Sequence, residues 1–296
     1  VVPAIHGLDM VIRIFDHTVR LIDLDTLGMV PDQLEHVQDM ISRPSGLILI
    51  GGGSGSGKTT TLYAILRKIA NAGRKIMTIE NPVEFDLDGV NQTQTNPRID
   101  LSFAEMLRAI LRQDPDVIMI GEIRDELTAA TAIRAANTGH LVLATIHAQS
   151  ASRAIESMLS LGVNPYFFTA ALRCTIAQVL VKRICPHCST ALPETAHMPL
   201  DPAVAKSIPE NLQRRLHQGK GCPKCHNSGY NGRLGLFEMF LPDDETRNLI
   251  LQGASSDTID AAAARQNMLS LTQTGQLAAF TGLTTIEQVV QSLPAA

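Results

Sequence analysis

Tryptophan is absent from the 296 residues of this chain, and aromatic side chains make up only 4% of it. So sparse a supply argues against a stacking platform for single-stranded nucleic acid, which relies on successive aromatic rings. Charge of one sign is not in excess either. Charged residues are 18% of the chain and the net charge is -4, so nothing draws the whole molecule to nucleic acid or anionic lipid. The basic clusters are small, VKR at 181–183 and RR at 214–215. Long apolar runs are also missing. GLILIG (46–51) and HLVLATI (140–146) fall well short of the roughly 20 residues of a membrane-spanning helix. No signal-peptide pattern opens the chain. It starts at Val1 and not Met, and HGLDMVIRIFDHTVRLIDL already reads as strand, which predicts a fragment whose N-terminal portion has been removed. Five cysteines, an odd number, with no export signal predict a reducing compartment and weigh against disulfides.

What is present begins with alternation. MVIRIFD (10–16) has strand periodicity, LGMVPD (27–32) reads as linker, and PDQLEHVQDMI (31–41) as an amphipathic helix opened by Pro31. From Ser45 onward, continuous apolar strands at GLILIGG, KIMTIE (75–80), DVIMIGE (116–122) and HLVLATIH (140–147) alternate with helices. The helices are KTTTLYAILRKIANA, SFAEMLRAILRQ (102–113) and DELTAATAIRAANTG (125–139). That order predicts βαβ units on a buried parallel sheet. Residues 151–183 read as wholly helical. The segment 184–240 is rich in Pro, Gly and His with weak periodicity, and about 243–293 reads as a helical tail. There is no internal repeat and no low-complexity tract.

Gly52, Gly53, Ser54, Gly55, Ser56, Gly57, Lys58 and Thr59 satisfy G-x-x-x-x-G-K-[ST] at every fixed position, after a strand and before a helix. Glycines there let backbone amides curl around phosphate oxygens, and the helix N-terminus adds partial positive charge. Lys58 would reach the β- and γ-phosphates, and the hydroxyl of Thr59, followed by Thr60, would ligate Mg2+. A flexible Gly/Ser loop is the competing reading, and strand, motif and helix in sequence favour phosphate. Glu122, at the tip of DVIMIGE, can hold the metal from the strand end, directly or through water. Otherwise it is a strand-end residue paired with Arg124; the P-loop favours the metal role. In TIENPVEF (78–85), Glu80 and Glu84 both lie where parallel strands deliver residues to a ligand crevice, so either could be a water-activating base. His140 and His147 bracket the strand HLVLATIH. Their odd separation predicts opposite faces and different roles, γ-phosphate sensing or a satisfied strand-end polar group.

Cys185-x-x-Cys188 and Cys222-x-x-Cys225 supply four thiolates in two compact pairs, a ligand set for tetrahedral structural zinc. Their separation is harmless because loop-closure cost grows only logarithmically. A thioredoxin-like redox pair would need one motif between strand and helix, not two matched motifs in loops. His187 and His226 lie beside the ligands and could substitute. Cys174, inside the expected helical run, reads as a small buried hydrophobe.

Taken together, GGGSGSGKTTTLYA, TIENPVEFDLDGVNQTQTN, LRAILRQDPDVIMIGEIRDELTAATAIRAANTGHLVLATIHA and the paired cysteine motifs resemble the secretion ATPase superfamily. Within it they resemble most the type II secretion and type IV pilus assembly ATPases, in order and almost without gaps from about residue 5 to the end. The resemblance implies an α/β fold: a RecA-like P-loop NTPase domain with a parallel central sheet at 31–183. Before it would come the remnant of a small α+β, PAS-like N-terminal domain and linker at 1–30. After it would come a zinc-binding tetracysteine subdomain at 184–240 and a C-terminal helical region at 241–296.

It also implies roles. Glu84, in the family's acidic box with Glu80, would be the general base; Asn81 stands where that box usually has Asp. Glu122 belongs to an atypical Walker B, and His140 and His147 to a His box with His147 nearest the γ-phosphate. Arginines from the N-terminal side would reach the nucleotide, with Arg13 the match, Arg20 a second candidate and Arg98 a weaker sensor. The implied protein is a cytoplasmic ATPase using ATP, Mg2+ and structural zinc, working as a homo-hexamer peripheral to the bacterial inner membrane. Its partners would be an inner-membrane platform protein and the cytoplasmic domain of a secretion or pilus membrane protein, with no nucleic acid expected. The tetracysteine element further implies assembly and not pilus retraction. Competing readings are a nucleic-acid-translocating RecA-type ATPase or a conjugation or DNA-uptake motor, and a non-hydrolysing nucleotide-binding scaffold. The first would show stimulation by single-stranded DNA and the last no phosphate release.

Overall fold

The computed structural model describes residues 1–11, 23–70, 73–99, 101–193 and 215–293. Strand expectation at MVIRIFD falls mainly on residues 12–16, and Arg13 and Arg20 with it, outside the described residues. Upstream, β1 (Val2–Ala4) and β2 (Gly7–Asp9) pair as an antiparallel ribbon. Helix α1 (Pro31–Ser42) starts at its proline and buries Val37, Met40 and Ile41, the i, i+3, i+4 stripe of an amphipathic helix.

Repeating strand–helix units follow: β3 (Gly46–Gly51), α2 (Lys58–Ala70), β4 (Ile76–Glu80), β5 (Val90–Gln94), α3 (Phe103–Ile110), β6 (Val117–Ile120), α4 (Glu126–Asn137) and β7 (Leu141–Ile146). Strands β3, β7, β6, β4 and β5 are adjacent in that order and all parallel. The sheet is covered on both faces, as parallel sheets require. Successive residues of β3 divide between the two cores: Leu47 and Leu49 pack with α4 and α5 residues, Ile48 and Ile50 with α1 and α2 residues. Side chains alternate across a strand, so an unbroken apolar run is what a two-sided core demands.

The wholly helical reading of 151–183 is corrected. Helices α5 (Ala151–Ser160) and α6 (Pro165–Ala171) occupy its first part, and then β8 (Leu172–Ile184) runs for 13 residues. An apolar run such as LRCTIAQVLVKRI has no clean period, so pattern cannot separate a buried strand from a buried helix. The free edge of β3 decides it, because β8 pairs there in parallel, Ile50 beside Ile176 and Gly51 beside Ala177. Cys174 is fully buried as expected, but within this strand. A second correction lies in 184–240. After the short pair β9 (Ser189–Ala191) and β10 (His217–Gly219), β11 (Tyr230–Phe240) returns antiparallel to β8 and closes the sheet as a seventh strand. β5 was not anticipated either, since VNQTQ is polar and sits on the opposite edge. The expected helical tail is present as α7 (Asp244–Leu251), α8 (Ser256–Arg265), α9 (Leu271–Phe280) and α10 (Ile286–Ser292). No helix among the described residues is long and apolar enough to cross a membrane.

The tail is packed too closely to tolerate added volume. A methyl group on Gly275 in α9 would lie 2.5 Å from Val289 Cγ1 of α10 and 3.2 Å from Leu236 Cδ1 of β11. Alanine gains up to about 1 kcal/mol over glycine in a helix, but overpacking costs about 1–3 kcal/mol. Gly275→Ala is therefore expected to lower the thermal midpoint despite its better helix propensity. A raised midpoint in a melting experiment would contradict this packing.

Candidate nucleotide site and metal centre

Parallel strands put their carboxyl ends on one side, and four adjacent strands here deliver polar residues to it. β3 runs into the loop Gly52–Gly57, β7 ends before His147, β6 before Gly121–Glu122, and β4 ends on Glu80. In the loop, Gly57 has φ +90°, a conformation side chains rarely adopt. At Gly52 a Cβ would meet Ser56 Oγ at 2.3 Å and the Gln178 carbonyl oxygen at 2.8 Å. The turn is thus possible only with glycine at the close approach. Thr59 and Thr60 lie in the first turn of α2. Lys58 Nζ donates to the Gly52 and Gly53 carbonyl oxygens at 2.8 and 2.9 Å. Burial lowers its pKa, against the field of Glu122, which raises it.

Glu122 is the hub of the next group. Its Oε1 is 2.9 Å from His147 Nε2 and its Oε2 2.5 Å from Arg124. Glu122 thus pairs with Arg124, and its field reaches Lys58. Gly121 keeps the strand end close, since a Cβ there would lie 3.0 Å from the Ile79 carbonyl oxygen. An open cleft bordered by Glu122, Arg124, His147, Ser157 and Ser160 gives this group access to solvent.

The two glutamates of the acidic segment differ in kind. Glu80 is only 2% exposed and accepts hydrogen bonds from the Tyr63 hydroxyl, Thr78 Oγ1 (2.7 Å) and Gln92 Nε2 (3.0 Å). With both oxygens engaged, it braces the loop and is poorly placed to take a proton from water. Burial and this carboxylate together push the Tyr63 phenol well above its ordinary pKa. The same hydroxyl accepts from the Glu84 N–H at 3.2 Å, so Tyr63, on the helix that follows the P-loop, also positions half-buried Glu84. Asn81 and Pro82, joined by a cis peptide, lie exposed between the two.

Two candidates lie elsewhere. His140 precedes β7, with Nδ1 3.1 Å from the Ala135 carbonyl oxygen at the end of α4. At about 3.3 Å per residue it is some 23 Å of strand from His147. The two histidines are separated by strand ends more than by faces, and only His147 joins the site. Arg98 is exposed beyond β5, four strands from β3, where its N–H donates to Asn96 Oδ1. Missing from the sequence reading were Tyr63 and Gln178. The second was concealed by the helical reading of its segment; a lone amide in the apolar stretch IAQVLV was the signal available.

The four cysteines of the two pairs converge, and their sulfurs all lie within 4.8 Å of one another. The Sγ–Sγ separations are 3.9 Å (Cys185 to Cys222), 3.8 Å (Cys188 to Cys225) and 3.7 Å (Cys222 to Cys225). A disulfide needs about 2.05 Å. A tetrahedron with zinc–sulfur bonds of about 2.3 Å has an edge of about 3.8 Å. The donor set and spacing therefore fit zinc and not disulfides. Four thiols so close cannot all ionise without a cation. Burial raises Cys225, but backbone N–H groups and the neighbouring thiols outweigh it and bring it to about 6, while burial and its neighbours push Cys188 up to about 12. His187 and His226 are not among the converging ligands.

The profile of the family described as "Type II/IV secretion system protein" matches residues 1–291. The chain is 41% identical over 291 residues to the type IV pilus assembly ATPase PilB of Thermus thermophilus, covering 97% of this chain and 32% of that protein. It is 42% identical over 293 residues to type II secretion system protein E of Klebsiella pneumoniae, covering 98% and 57%. It thus spans from about a third to just over half the length of such relatives. Among solved structures, the pilus retraction motor PilT with bound ADP superposes with a TM-score of 0.69 at 27% identity, covering 95% of this chain and 69% of that one.

Two outcomes follow from this geometry. Tyr63→Phe keeps the ring and removes the donor to Glu80, so the denaturation midpoint should fall by the equivalent of about 1–3 kcal/mol; an unchanged midpoint would mean that Tyr63 does not brace the acidic loop. Metal analysis should find one zinc per chain, and Cys222→Ser or Cys225→Ser should release it; metal-free protein with one titratable thiol on unfolding, that of Cys174, would restore the disulfide reading.

Proposed function

We propose a function from one premise: the chain belongs to the type II/IV secretion system protein family, whose profile covers residues 1–291. It is the ATP-hydrolysing part of a cytoplasmic motor that powers assembly of a type II secretion pseudopilus or a type IV pilus. The observation that carries this reading is the convergence of Lys58, Glu122, His147 and the Glu80–Glu84 loop at one end of four neighbouring strands. P-loop, metal-side carboxylate and candidate base are the parts that γ-phosphoryl transfer to water requires.

Mg2+ would supply charge neutralisation at the phosphates. Lys58, now resting on the Gly52 and Gly53 carbonyls, would turn to the β- and γ-phosphate oxygens. Thr59 and Glu122 would hold the ion, and His147 would fix the orientation of the Glu122 carboxylate. Glu84 would take the proton of the attacking water, placed for that work by Tyr63 and by Glu80, which is itself committed to hydrogen bonds. The ring is a homo-hexamer in which arginines of the N-terminal side, Arg13 the match, reach the nucleotide, and turnover drives rotation between domains. That motion passes to an inner-membrane platform protein, with the motor peripheral to the membrane and without nucleic acid as a track. Assembly is favoured over retraction because relatives named for secretion or pilus assembly are 41–42% identical, against 27% for the retraction motor. The zinc is structural: four thiolates leave no open coordination position.

Phosphate release by the full-length protein tests this reading. Lys58→Ala should slow turnover by about 10²–10³-fold and Glu84→Gln by about 10²–10⁴-fold. Equal rates for the parent and Lys58→Ala would sink it.

A further inference from the structure

Gln178 lies where no nucleotide motif of the sequence reaches, in the middle of β8, and is only 1% exposed. Its Nε2 donates to the carbonyl oxygen of Ser56 at 2.7 Å. Amide orientation here follows from chemistry, because a carbonyl facing it can only accept. The parallel register that sets Gly51 beside Ala177 brings the next residue, Gln178, under the loop. Its backbone presses on Gly52 as well: a Cβ there would sit 2.8 Å from the Gln178 carbonyl oxygen, and one on Gly57 would sit 3.2 Å from Nε2.

The consequence lies in the peptide plane. Among the described residues the one cis peptide is Asn81–Pro82, so Ser56–Gly57 is trans, and its C=O and N–H point in opposite directions. Holding the Ser56 oxygen toward Gln178 in the sheet therefore aims the Gly57 N–H away from the sheet. That is the direction in which a Gly-rich loop presents amides to phosphate. Two further atoms at the contact, Ser56 Oγ and Gln178 Oε1, are buried without partners, which marks a polar junction kept in a place where burial is costly.

We propose that Gln178 is a positioning residue of the P-loop: its amide locks the Ser56–Gly57 peptide so that the Gly57 N–H meets a nucleotide phosphate. This rests on the reading of Gly52–Thr59 as a nucleotide site. The contact acts equally on bound substrate and transition state, so its loss should raise KM with kcat little changed.

The test uses the full-length protein, with ADP·Mg2+ as binding probe and phosphate release as the rate. Gln178→Met keeps length and apolar packing but donates nothing; Gln178→Leu removes the donor with a similar apolar volume. Each is expected to weaken ADP binding and raise KM for ATP by about tenfold while kcat stays within about twofold and zinc content matches the parent, with the melting temperature falling by no more than the loss of one buried hydrogen bond allows. A variant that folds and binds ADP like the parent overturns the proposal. So does the failure of both variants to fold, since the contact would then be one of folding and not of positioning. A parent that binds no ADP would instead overturn the nucleotide reading itself, whatever the variants do.

Discussion

The insertion of β8 between β3 and β11 is the constraint on which the other parts depend. On one side it continues the parallel ladder from the P-loop strand, and on the other it opens the antiparallel ribbon with β11. A strand's register is binary in its effect: a slip of one residue would turn every side chain to the other face. Ile176 would leave the core it shares with Ile48 and Ile50, and Gln178 would turn away from Ser56. The same strand ends at Ile184, directly before Cys185, whose N–H bonds the Gly229 carbonyl oxygen just ahead of β11. The cysteine cluster thus clasps the far end of the ribbon whose middle supports the Gly52–Gly57 loop. A metal there would supply cohesion to a segment with little apolar core of its own, as structural zinc does in small modules.

Division of labour between two glutamates follows from burial. A carboxylate removed from water is tolerated only if its oxygens are occupied, and Glu80 meets that condition through Tyr63, Thr78 and Gln92. Such a group cannot also be a mobile base. Glu84 is half-buried, and its backbone N–H donates to the Tyr63 hydroxyl. Spacing alone could not separate the two, because both stand at the end of the same strand.

Legibility in the sequence followed from where each signal resides. The parallel core was readable because unbroken apolar strands alternate with capped helices, and the P-loop because its glycines, lysine and threonine are fixed by backbone geometry. The four cysteines were readable because ligand spacing is local. β8 and β11 were not, since their strand character comes from an open sheet edge and from each other, not from a period within either. Tyr63 and Gln178 were hidden for a related reason. Each acts across the fold, on partners 17 and 122 residues away, and neither residue type announces a function. His140 shows the converse failure: parity along a strand was legible, but the strand's length, which removes it from the site, outweighs parity.

One further buried carboxylate joins the site to the C-terminal helices. Glu238 of β11 accepts the Ala151 N–H, at the start of α5, on one oxygen and the Leu271 N–H, at the start of α9, on the other. Burial raises its pKa, and the two N–H groups oppose that shift, with the partial positive charge of two helix starts acting in the same direction. Helix α5 begins four residues after His147, so the loop carrying the Glu122 partner and the C-terminal helix α9 are anchored to the same side chain. Breaking only one of the two bonds would leave a buried carboxylate half-satisfied, a state far costlier than either full pairing or an apolar replacement. The C-terminal helices are therefore energetically part of the end of the sheet that carries the Gly52–Gly57 loop, although nothing in their own sequence carries nucleotide chemistry.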